Sequence, residues 1–403
     1  MYNLIIANTT DLVSNYSLLQ PLNKLKREVT PGMVFNQETL GLGSQRTTNL
    51  YWIELDKTRF KFKLETTIYP KPLLDFDLAG KRALSSVNFG SFFLSDDLTI
   101  PQVPFYNLLV NEGTAYQFPS NNRPALWTRD GKIHVRNISA AGKIMIGNKT
   151  FTWSGSSVKI ESDITAFGMF DINIRKSVGA FSESQRKIDD ASRFVSCEQN
   201  EILLGVSIVR DESKVDIISK KPLDLTQFAY ILRGGKEKLV DCKLGEKIKL
   251  SKLDGKNILK SDDVCSASFS LGSTKNELIK NLKQQLIYPQ DSQPKPMANN
   301  YLKSWSVVLE TSENLIFFIN DARPQINYQS GMSVFELQDV LRKKFDYLWG
   351  CVGDSGQSSK LMIKNGDIRE IYGNMHYQNL KTQPPAWDGL KGRPIPAALL
   401  VYE

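Results

Sequence analysis

The sequence predicts a mixed α+β fold in which strands dominate and a few helices pack on a core of mixed sheet. Three observations predict it: alternating strand patterns, short continuous apolar runs, and two capped amphipathic segments. The chain has 403 residues, of which 41% are hydrophobic and 23% are charged. This is ordinary globular composition, with enough apolar surface for a large buried core.

The strands are predicted from two kinds of pattern. Between Thr58 and Tyr69, apolar and charged residues alternate with a period of two, which indicates a strand with one buried face. Gly147-Asn148 separates two strand-like runs and predicts a short hairpin turn. Continuous apolar runs rich in β-branched and aromatic residues predict central strands covered on both faces. These runs are 306–310, 315–319 and 397–402.

Two capping boxes predict helices. One runs from Thr274 to Glu277 and precedes leucines at helical spacing, and the other runs from Ser333 to Glu336. We expect a helix from about 333 to 346, whose apolar face packs on buried neighbouring strands. The residues of that face are Val334, Leu337, Leu341 and Phe345, and the strands are 315–319, 348–352 and 397–402.

The predicted organisation has three parts. Residues 1–45 are interpreted as an extension ahead of the first clear strand, and 46–403 as the main domain. Within it, 145–270 has a strand-rich pattern of its own and is predicted to be an insert or subdomain. Segments 75–87 and 182–194 are also compatible with helices.

Charge and hydropathy favour some partners over others. The net charge of +8 is carried by scattered lysines with no block of five or six. Such diffuse basicity favours solubility, with a weak attraction to anionic substrates as the functional alternative, and it does not indicate nucleic acid. The sequence has no secretory signal pattern and no stretch long enough to cross a bilayer. We therefore expect the cytoplasm, or an assembly built there.

Metal and cofactor chemistry is not indicated. The four cysteines lie far apart without CxxC spacing, so they are expected to be buried or reduced thiols. With only His134 and His376, the chain cannot assemble a histidine-rich metal site. We predict no metal and no cofactor, although oxygen ligands can hold Ca²⁺ or Mg²⁺.

The most distinctive segment is a loop of small residues after a strand-like run, at 353–359. Its carboxylate, Asp354, follows a strand end, where backbone N–H groups become available to bind anions. A carboxylate placed there can act as acid, base or nucleophile. The alternative is a tight turn that uses glycine and serine for backbone reasons.

The same loop matches the nucleophile segment of chymotrypsin-like serine proteases at Gly353-Asp-Ser-Gly356. A protease needs a histidine base that reaches Ser355 and is itself oriented by an aspartate. His134 lacks the sequence context of that base, and His376 follows the serine in the chain. The protease interpretation is therefore not favoured.

In their order, several motifs resemble the phosphodiester glycosidase family. From Leu315 to Gly366 the chain has a strand, a capped helix, a strand ending in the Asp354 loop and a strand closing in Asn-Gly. The residues on the family's motif positions are Glu336, Asp354, Gly356, Ser358, Asn365 and Gly366. Segments 85–93, 121–135 and 392–403 resemble further family motifs, so the resemblance covers about residues 45–403. The family includes an animal N-acetylglucosamine-1-phosphodiester glycosidase.

This resemblance implies hydrolysis of the glycosidic bond between a sugar and a phosphodiester, through an oxocarbenium-like state. It implies Asp354 as the catalytic carboxylate. The substrate-binding residues that it implies are Asn88, Gly356, Ser358 and Arg393. Arg393 would clamp the phosphate, Asn88 would bind a sugar hydroxyl or orient Asp354, and either Asn88 or Ser91 is expected in the pocket. All are expected to converge on one cleft, with the backbone amides of 355–358 on its floor.

The chain departs from the family pattern in three places. The family's triple glycine is here Ser355-Gly356-Gln357, an arginine is lost near Ser304–Ser306, and the segment around Phe89 is altered. The alternative is therefore a glycosidase-like scaffold without activity, which binds carbohydrate or has a structural role, for instance in a phage particle, as a homo-oligomer or larger assembly. A second carboxylate is left open among Asp96, Asp97, Asp130, Glu310 and Asp321.

Overall fold

The protein is described by a computed structural model that covers most of the chain. The described residues are 3–6, 23–42, 46–76, 83–90, 108–119, 123–168, 194–253, 256–257, 263–284, 302–322, 331–366, 368–373 and 395–403. Within them strands dominate and helices are few, so the predicted fold class is confirmed. None of the helices in these ranges is long and apolar enough to span a membrane.

The described elements are numbered in chain order. The strands are β1 (Asn3–Ile6), β2 (Leu25–Thr30), β3 (Met33–Leu42), β4 (Arg46–Asp56), β5 (Lys61–Lys71), β6 (Ser85–Phe89), β7 (Leu109–Asn111), β8 (Thr114–Gln117), β9 (Arg123–Arg129), β10 (Lys132–Ile138), β11 (Ala141–Ile146), β12 (Lys149–Gly155), β13 (Ile164–Phe167), β14 (Phe194–Val195), β15 (Glu201–Val209), β16 (Glu212–Ser219), β17 (Leu223–Asp224), β18 (Tyr230–Gly235), β19 (Ile248–Leu253), β20 (Lys256–Asn257), β21 (Val264–Ser266), β22 (Phe269–Ser270), β23 (Ser306–Thr311), β24 (Asn314–Asp321), β25 (Tyr347–Val352), β26 (Lys360–Asn365), β27 (Ile368–Gly373) and β28 (Ile395–Tyr402). The α-helices are α1 (Lys236–Leu239), α2 (Lys275–Gln284) and α3 (Val334–Lys344).

Four larger sheets organise these strands. The seven-stranded sheet has the order β2-β3-β4-β24-β23-β25-β22, and the six-stranded sheet has the order β1-β27-β26-β6-β28-β5. A five-stranded sheet has the order β10-β9-β21-β7-β8. An eight-stranded sheet, β16-β15-β18-β13-β12-β11-β19-β20, takes all its strands from residues 141–257.

The seven-stranded and six-stranded sheets pack face to face over one apolar core. Phe317 and Ile319 of β24 share this core with Val87 of β6 and Leu399 of β28, and all four are fully buried. Burying one such large side chain stabilises the fold by about 1.5–3 kcal/mol. Strand β5 follows its predicted alternation, because Phe62 is buried while its neighbour Lys61 is exposed.

Helix α3 covers the outer face of the seven-stranded sheet, as predicted. Ser333 caps it: its Oγ accepts a hydrogen bond from the Glu336 N–H at 3.3 Å, and its own N–H donates to Glu336 Oε2 at 2.8 Å. The predicted apolar face is buried against Val307 and Phe318 of the sheet. The helix and its packing on β24 and β25 are therefore confirmed, but its packing on 397–402 is wrong, because that strand lies in the facing sheet. At the start of α2, the Thr274 hydroxyl accepts a hydrogen bond from the Glu277 N–H, as the predicted capping box requires. The Glu277 carboxylate, however, accepts from the N–H of Ser273 and not from that of Thr274.

The three strands predicted as neighbours divide between two sheets. Strands β24 and β25 lie in the seven-stranded sheet with β23 between them, whereas β28 lies in the facing sheet. A continuous apolar run indicates burial on both faces but does not say which strand is the hydrogen-bonded partner. Packing between the sheets still brings β24 and β28 into one core.

Two further sequence predictions need correction. Segment 75–87 was compatible with a helix, but Leu73–Phe76 forms one 3₁₀ turn and Ser85–Phe89 forms β6, a fully buried strand paired with β26 and β28; residues 77–82 lie outside the described ranges. Tertiary pairing outweighs the weak local pattern there. Strands β2 and β3 pair in series with β4, so clear strands already precede residue 46. Of the predicted helix at 182–194, residues 182–193 lie outside the described ranges, and Phe194 begins β14.

Candidate functional site

One edge of the two packed sheets is rich in buried polar residues. Strands β24 and β25 are both antiparallel to β23, so they are parallel to each other and their carboxyl ends meet at the same edge. In the facing sheet, β6 ends and β26 begins at this edge. We call it the polar edge. Its buried residues are Asn88, Ser304, Ser306, Asn320, Asp321, Asp354, Ser358, Ser359 and Lys360.

Asn88 joins the two sheets at the polar edge. Its side-chain N–H₂ donates to the backbone carbonyl of Asp354 at 2.8 Å. Its Oδ1 accepts from Ser306 Oγ at 2.6 Å and from the backbone N–H of Lys360 at 2.9 Å. The side chain is fully buried. Of the two roles predicted for Asn88, these contacts match orientation of the Asp354 loop and not contact with a sugar.

Asp354 lies directly beyond β25 and is almost completely buried, with 8% of its surface exposed. The preceding Gly353 N–H donates to the Ser306 carbonyl at 2.9 Å, which extends the pairing of β25 with β23. The pKa of the Cys265 thiol is raised, first by burial and then by the charges of Asp263 and Asp354. The Asp354 carboxylate is therefore within electrostatic reach of the core between the sheets.

Of the two predicted phosphate donors, Gly356 is hydrogen-bonded within the protein, whereas the buried Ser358 hydroxyl has no hydrogen-bond partner among the described residues. Gly356 has a φ of 77°, which favours glycine, but its N–H donates to the Ser304 carbonyl at 2.8 Å. Ser358 lies in the 3₁₀ turn Gly356–Ser358, and its side chain is fully buried. The prediction that the amides of 355–358 line the floor of a cleft is therefore wrong for Gly356, because the loop folds back on β23.

Two other predicted residues cannot be placed. Arg393 and Ser91 lie outside the described residues, so the expected convergence of Asp354 with Arg393 stays a prediction. Lys303 directly precedes Ser304, near which the family's arginine is lost. Its Cε lies 3.5 Å from the position that a Cβ of Gly356 would occupy. A cation beside the loop can pair with an anionic group there.

Asp321 occupies the carboxyl end of β24 at the polar edge and is fully buried. Side chains two residues apart in a strand share a face, so Asp321 faces the six-stranded sheet as Ile319 does. Ile319 approaches Gly373 at the end of β27 so closely that a Cβ there would be 2.6 Å from Ile319 Cδ1. Burial raises the pKa of Asp321 to about 7, against a lowering effect of the Ala322 N–H.

The structure separates Asp321 from the other candidates for a second carboxylate. Glu310 lies at the opposite end of β23, where it pairs with Lys57 at 2.6 Å and accepts a hydrogen bond from Trp349. Asp130 lies at the exposed β9–β10 turn with a φ of 51°. Asp96 and Asp97 are outside the described residues. Only strand order could identify Asp321, because the sequence does not show which strand ends meet.

The raised pKa of Asp321 predicts a specific pH dependence of stability. The unfolded carboxyl titrates near 3.8 and the folded one near 7, so the folded state binds the extra proton and loses stability as pH rises from about 4 to 7. Asp321→Asn removes the ionising group and keeps an oxygen for the Ala322 N–H. We expect the variant to be more stable than the wild type at pH 8, by an amount on the order of a few kcal/mol.

Thermal unfolding of both proteins from pH 4 to pH 8 would measure this. The stability gap should close near pH 4. Asp263, whose pKa burial raises to about 6, also makes wild-type stability fall with rising pH. Comparing variant with wild type at each pH isolates the contribution of Asp321. A variant less stable than the wild type at every pH would contradict the prediction.

The contacts of the loop also bear on the protease interpretation. Ser355 is buried, and its Oγ donates to the Gly353 carbonyl at 3.2 Å. His134 stacks on Trp127, with ring centroids 5.4 Å apart. No histidine in the described part of the chain hydrogen-bonds to Ser355. The Gly-Asp-Ser-Gly match therefore forms a turn here.

No metal-binding cluster is evident in the part of the chain that the structure describes. Its histidine, cysteine, aspartate and glutamate residues form no group of three or more that could hold a metal ion. All four cysteines lack a disulfide partner, and Cys242, Cys265 and Cys351 are buried as expected.

Comparison with known proteins identifies a similar fold. No protein-family model matches the chain, and no curated protein matches it. Among solved structures, a hypothetical protein from Synechocystis is similar with a TM-score of 0.54 and 12% identity, covering 94% of this chain and 64% of that one. A Burkholderia pseudomallei protein, whose name proposes that it is exported, has a TM-score of 0.51 and 12% identity, covering 91% of this chain and 76% of that one.

These similarities define the class of fold. At 12% identity they support a shared architecture and no shared chemistry. This chain spans less than two thirds of the length of the Synechocystis protein.

Proposed function

We propose that this protein hydrolyses the glycosidic bond between a sugar and a phosphodiester. The observation that supports this most directly is the pair of carboxyl groups at the polar edge. Asp354 and Asp321 follow the ends of two parallel strands separated by one intervening strand. Two strand spacings separate their backbones by roughly 10 Å. Glycosidases characteristically use two carboxyl groups on either side of the scissile bond.

The different surroundings of the two carboxyl groups suggest different roles. The phosphodiester leaves as a stable anion, so the reaction needs no acid to protonate it. In the proposed step the C1–O bond breaks, water adds to C1, and the ionised Asp354 stabilises the positive charge that develops on the sugar. Asp321, with a pKa near neutrality, accepts the proton that water loses. Lys303 is the described cation that we assign to the phosphate.

The energetics of the polar edge also favour a function there. Burying polar and ionisable groups is unfavourable unless their partners satisfy them, and packed apolar residues would stabilise the fold more simply. Buried groups with shifted pKa values are common at functional sites. Asp321 has such a shift and lies at the same edge of the sheet as the loop that the family resemblance identified.

A second candidate function is a scaffold without activity that binds carbohydrate or is part of a larger assembly. The surroundings of three predicted binding residues favour it. Asn88 uses both its amide nitrogen and its amide oxygen within the protein, the Gly356 N–H is bonded to Ser304, and Ser358 is buried. On this interpretation, the same hydrogen bonds only hold the loop closed.

One assay separates the two candidates. The purified protein is incubated with a panel of sugar-1-phosphodiesters, including an N-acetylglucosamine diester, and free sugar is measured. Release of sugar with at least one diester, and none from the matching sugar-1-phosphate, is expected for the proposed enzyme. If no diester is hydrolysed while one binds in calorimetry, the scaffold is the correct function.

The predicted cytoplasmic location stays a prediction.

Hydrolysis is expected to survive chelators. The proposed step uses carboxylates, a lysine and water, and the sequence offers no cluster of histidine and cysteine ligands. Activity with and without EDTA, measured on the same diester, tests this. Activity that disappears in EDTA and returns with a single added cation would show that oxygen ligands hold a metal after all.

A further inference from the structure

The outer face of strands β11 and β19 brings three lysines together. Lys143 lies directly opposite Lys252 across the antiparallel pair, and Met145 lies opposite Lys249. Residues paired in this way share one face of the sheet. On the other side of β11, Thr150 and Thr152 of β12 are paired with Met145 and Lys143. We call this surface the lysine face, defined by Lys143, Met145, Thr150, Thr152, Lys249 and Lys252.

The lysine face exposes charge next to a small apolar patch. Lys143, Met145, Thr150 and Thr152 are exposed, and Lys249 and Lys252 are partly exposed. Alternate residues of the same strands, such as Ile144 and Leu250, are buried in the core beneath. The face is therefore fixed in position by a packed sheet and does not depend on a loop.

Other lysines of this sheet region are neutralised, whereas the three on the face are not. Lys149 pairs with Asp241 at 2.6 Å, Lys238 pairs with Asp163 at 3.2 Å, and Lys214 pairs with Glu212 at 3.0 Å. Lys247 also contacts Glu212. In the described ranges, the lysines of the face form no ion pair.

The repulsion between the lysines of this face is unfavourable for the isolated protein. Like charges directly opposite each other across two strands destabilise a sheet. Lys143 and Lys252 are such a pair, and Lys249 adds a third positive charge to the same face. A bound polyanion would remove the repulsion and replace it by attraction.

The chemistry of the face favours one class of polyanion. It presents no aromatic side chain on which a nucleic-acid base could stack, and stacking is the usual contribution to single-strand binding. Three ammonium groups and the Thr150 hydroxyl instead match repeated phosphates and hydroxyls, while the Thr152 hydroxyl is bonded to Asp163. We propose that the lysine face binds a polymer of polyol or sugar units joined by phosphodiesters, a choice that rests on the proposed function.

The test compares two triple variants of the full chain. Lys143→Gln, Lys249→Gln and Lys252→Gln together neutralise the face. The matched control, Lys26→Gln, Lys280→Gln and Lys343→Gln, removes the same charge from exposed lysines on β2, α2 and α3. Binding of a poly(glycerol phosphate) probe is measured by calorimetry between 50 and 200 mM salt, alongside duplex DNA and a neutral dextran.

The face variant should bind the glycerol-phosphate polymer at least about tenfold more weakly than the wild type, whereas the control should change less than about twofold. For the face variant, the slope of log affinity against log salt concentration should be smaller in magnitude by about two, because three phosphate contacts are lost. Its melting temperature should not fall, since repulsion is removed. The proposal would be overturned if both variants lost the same amount of polymer affinity, or if neither lost any. It would also be overturned if duplex DNA bound as tightly as the polymer and lost as much affinity in the face variant.

The same variants separate this proposal from the proposed enzyme. Hydrolysis of a small sugar-1-phosphodiester should be unchanged by the face substitutions, because that substrate needs no polymer-binding surface. If the wild type hydrolyses no diester but shows face-dependent polymer binding, the enzyme proposal fails and the lysine face stands. If diesters are hydrolysed and the face substitutions do not change polymer binding, the enzyme proposal stands and the lysine-face proposal fails.

Discussion

Replacing Asp354 with asparagine is expected to lower turnover on a sugar phosphodiester by about 10²–10⁴-fold, while the melting temperature changes little. Asparagine has nearly the same shape but lacks the charge that stabilises the developing positive charge on the sugar. The loop itself is held through the backbone of Asp354, whose carbonyl accepts from Asn88, and this contact does not involve the substituted group.

The matched control is Asp346→Asn. Asp346 precedes β25 at the opposite end from Asp354 and is exposed, so its charge should not affect the reaction. Turnover and thermal unfolding are measured for both variants on the best diester of the panel. Unchanged turnover in the Asp354 variant would remove its catalytic role, and a large loss of stability would show that its charge belongs to the turn.

Replacing Asn88 with alanine should destabilise the protein by about 3–5 kcal/mol. The substitution removes the partners of three buried groups at once: the Asp354 carbonyl, the Ser306 hydroxyl and the Lys360 N–H. Each buried group left unsatisfied costs about 1–3 kcal/mol. Denaturant unfolding measures the loss. The exposed Asn276 in the first turn of α2 provides the control, and Asn276→Ala should change stability by less than about 1 kcal/mol.

Asn88→Asp gives a finer test of the same contacts. The introduced carboxyl keeps an acceptor for Ser306 and Lys360, but it directs an oxygen at the Asp354 carbonyl where the amide had a donor. Only its protonated form can restore that hydrogen bond, so its folded-state pKa should be raised. Stability should therefore approach that of the wild type at low pH and fall as pH rises. A variant equally destabilised at all pH values would contradict this role.

Much of the fold follows from local sequence patterns. The capping box at Ser333 and the apolar spacing after it fix helix α3, because both signals lie within a few residues. The alternation around Phe62 fixes the buried face of β5 in the same way. Strand β6 was missed because its five residues are all buried, which removes the alternation that marks a strand.

The candidate site was less predictable because it depends on contacts between distant segments. Asp354 follows a recognisable strand end, so sequence could select it. The burial of Ser358 and the engagement of the Gly356 N–H by Ser304 depend on how the loop folds against β23. Asp321 gains its significance from the order β24-β23-β25, which no pattern within one strand encodes.

The absence of a side chain at Gly373 sets how close the two sheets come at the polar edge. Its φ is 106°, and a Cβ there would lie 2.4 Å from the Ser359 carbonyl oxygen and 2.6 Å from Ile319. The Ser359 carbonyl lies in the same sheet, next to the Lys360 that pairs with Gly373, whereas the Ile319 side chain reaches across from the facing sheet. Even a methyl group at this position would act as a wedge between β27 and β24. Glycine at this position therefore lets the Ile319 side chain pack directly on the end of β27, two residues before Asp321 on the same strand.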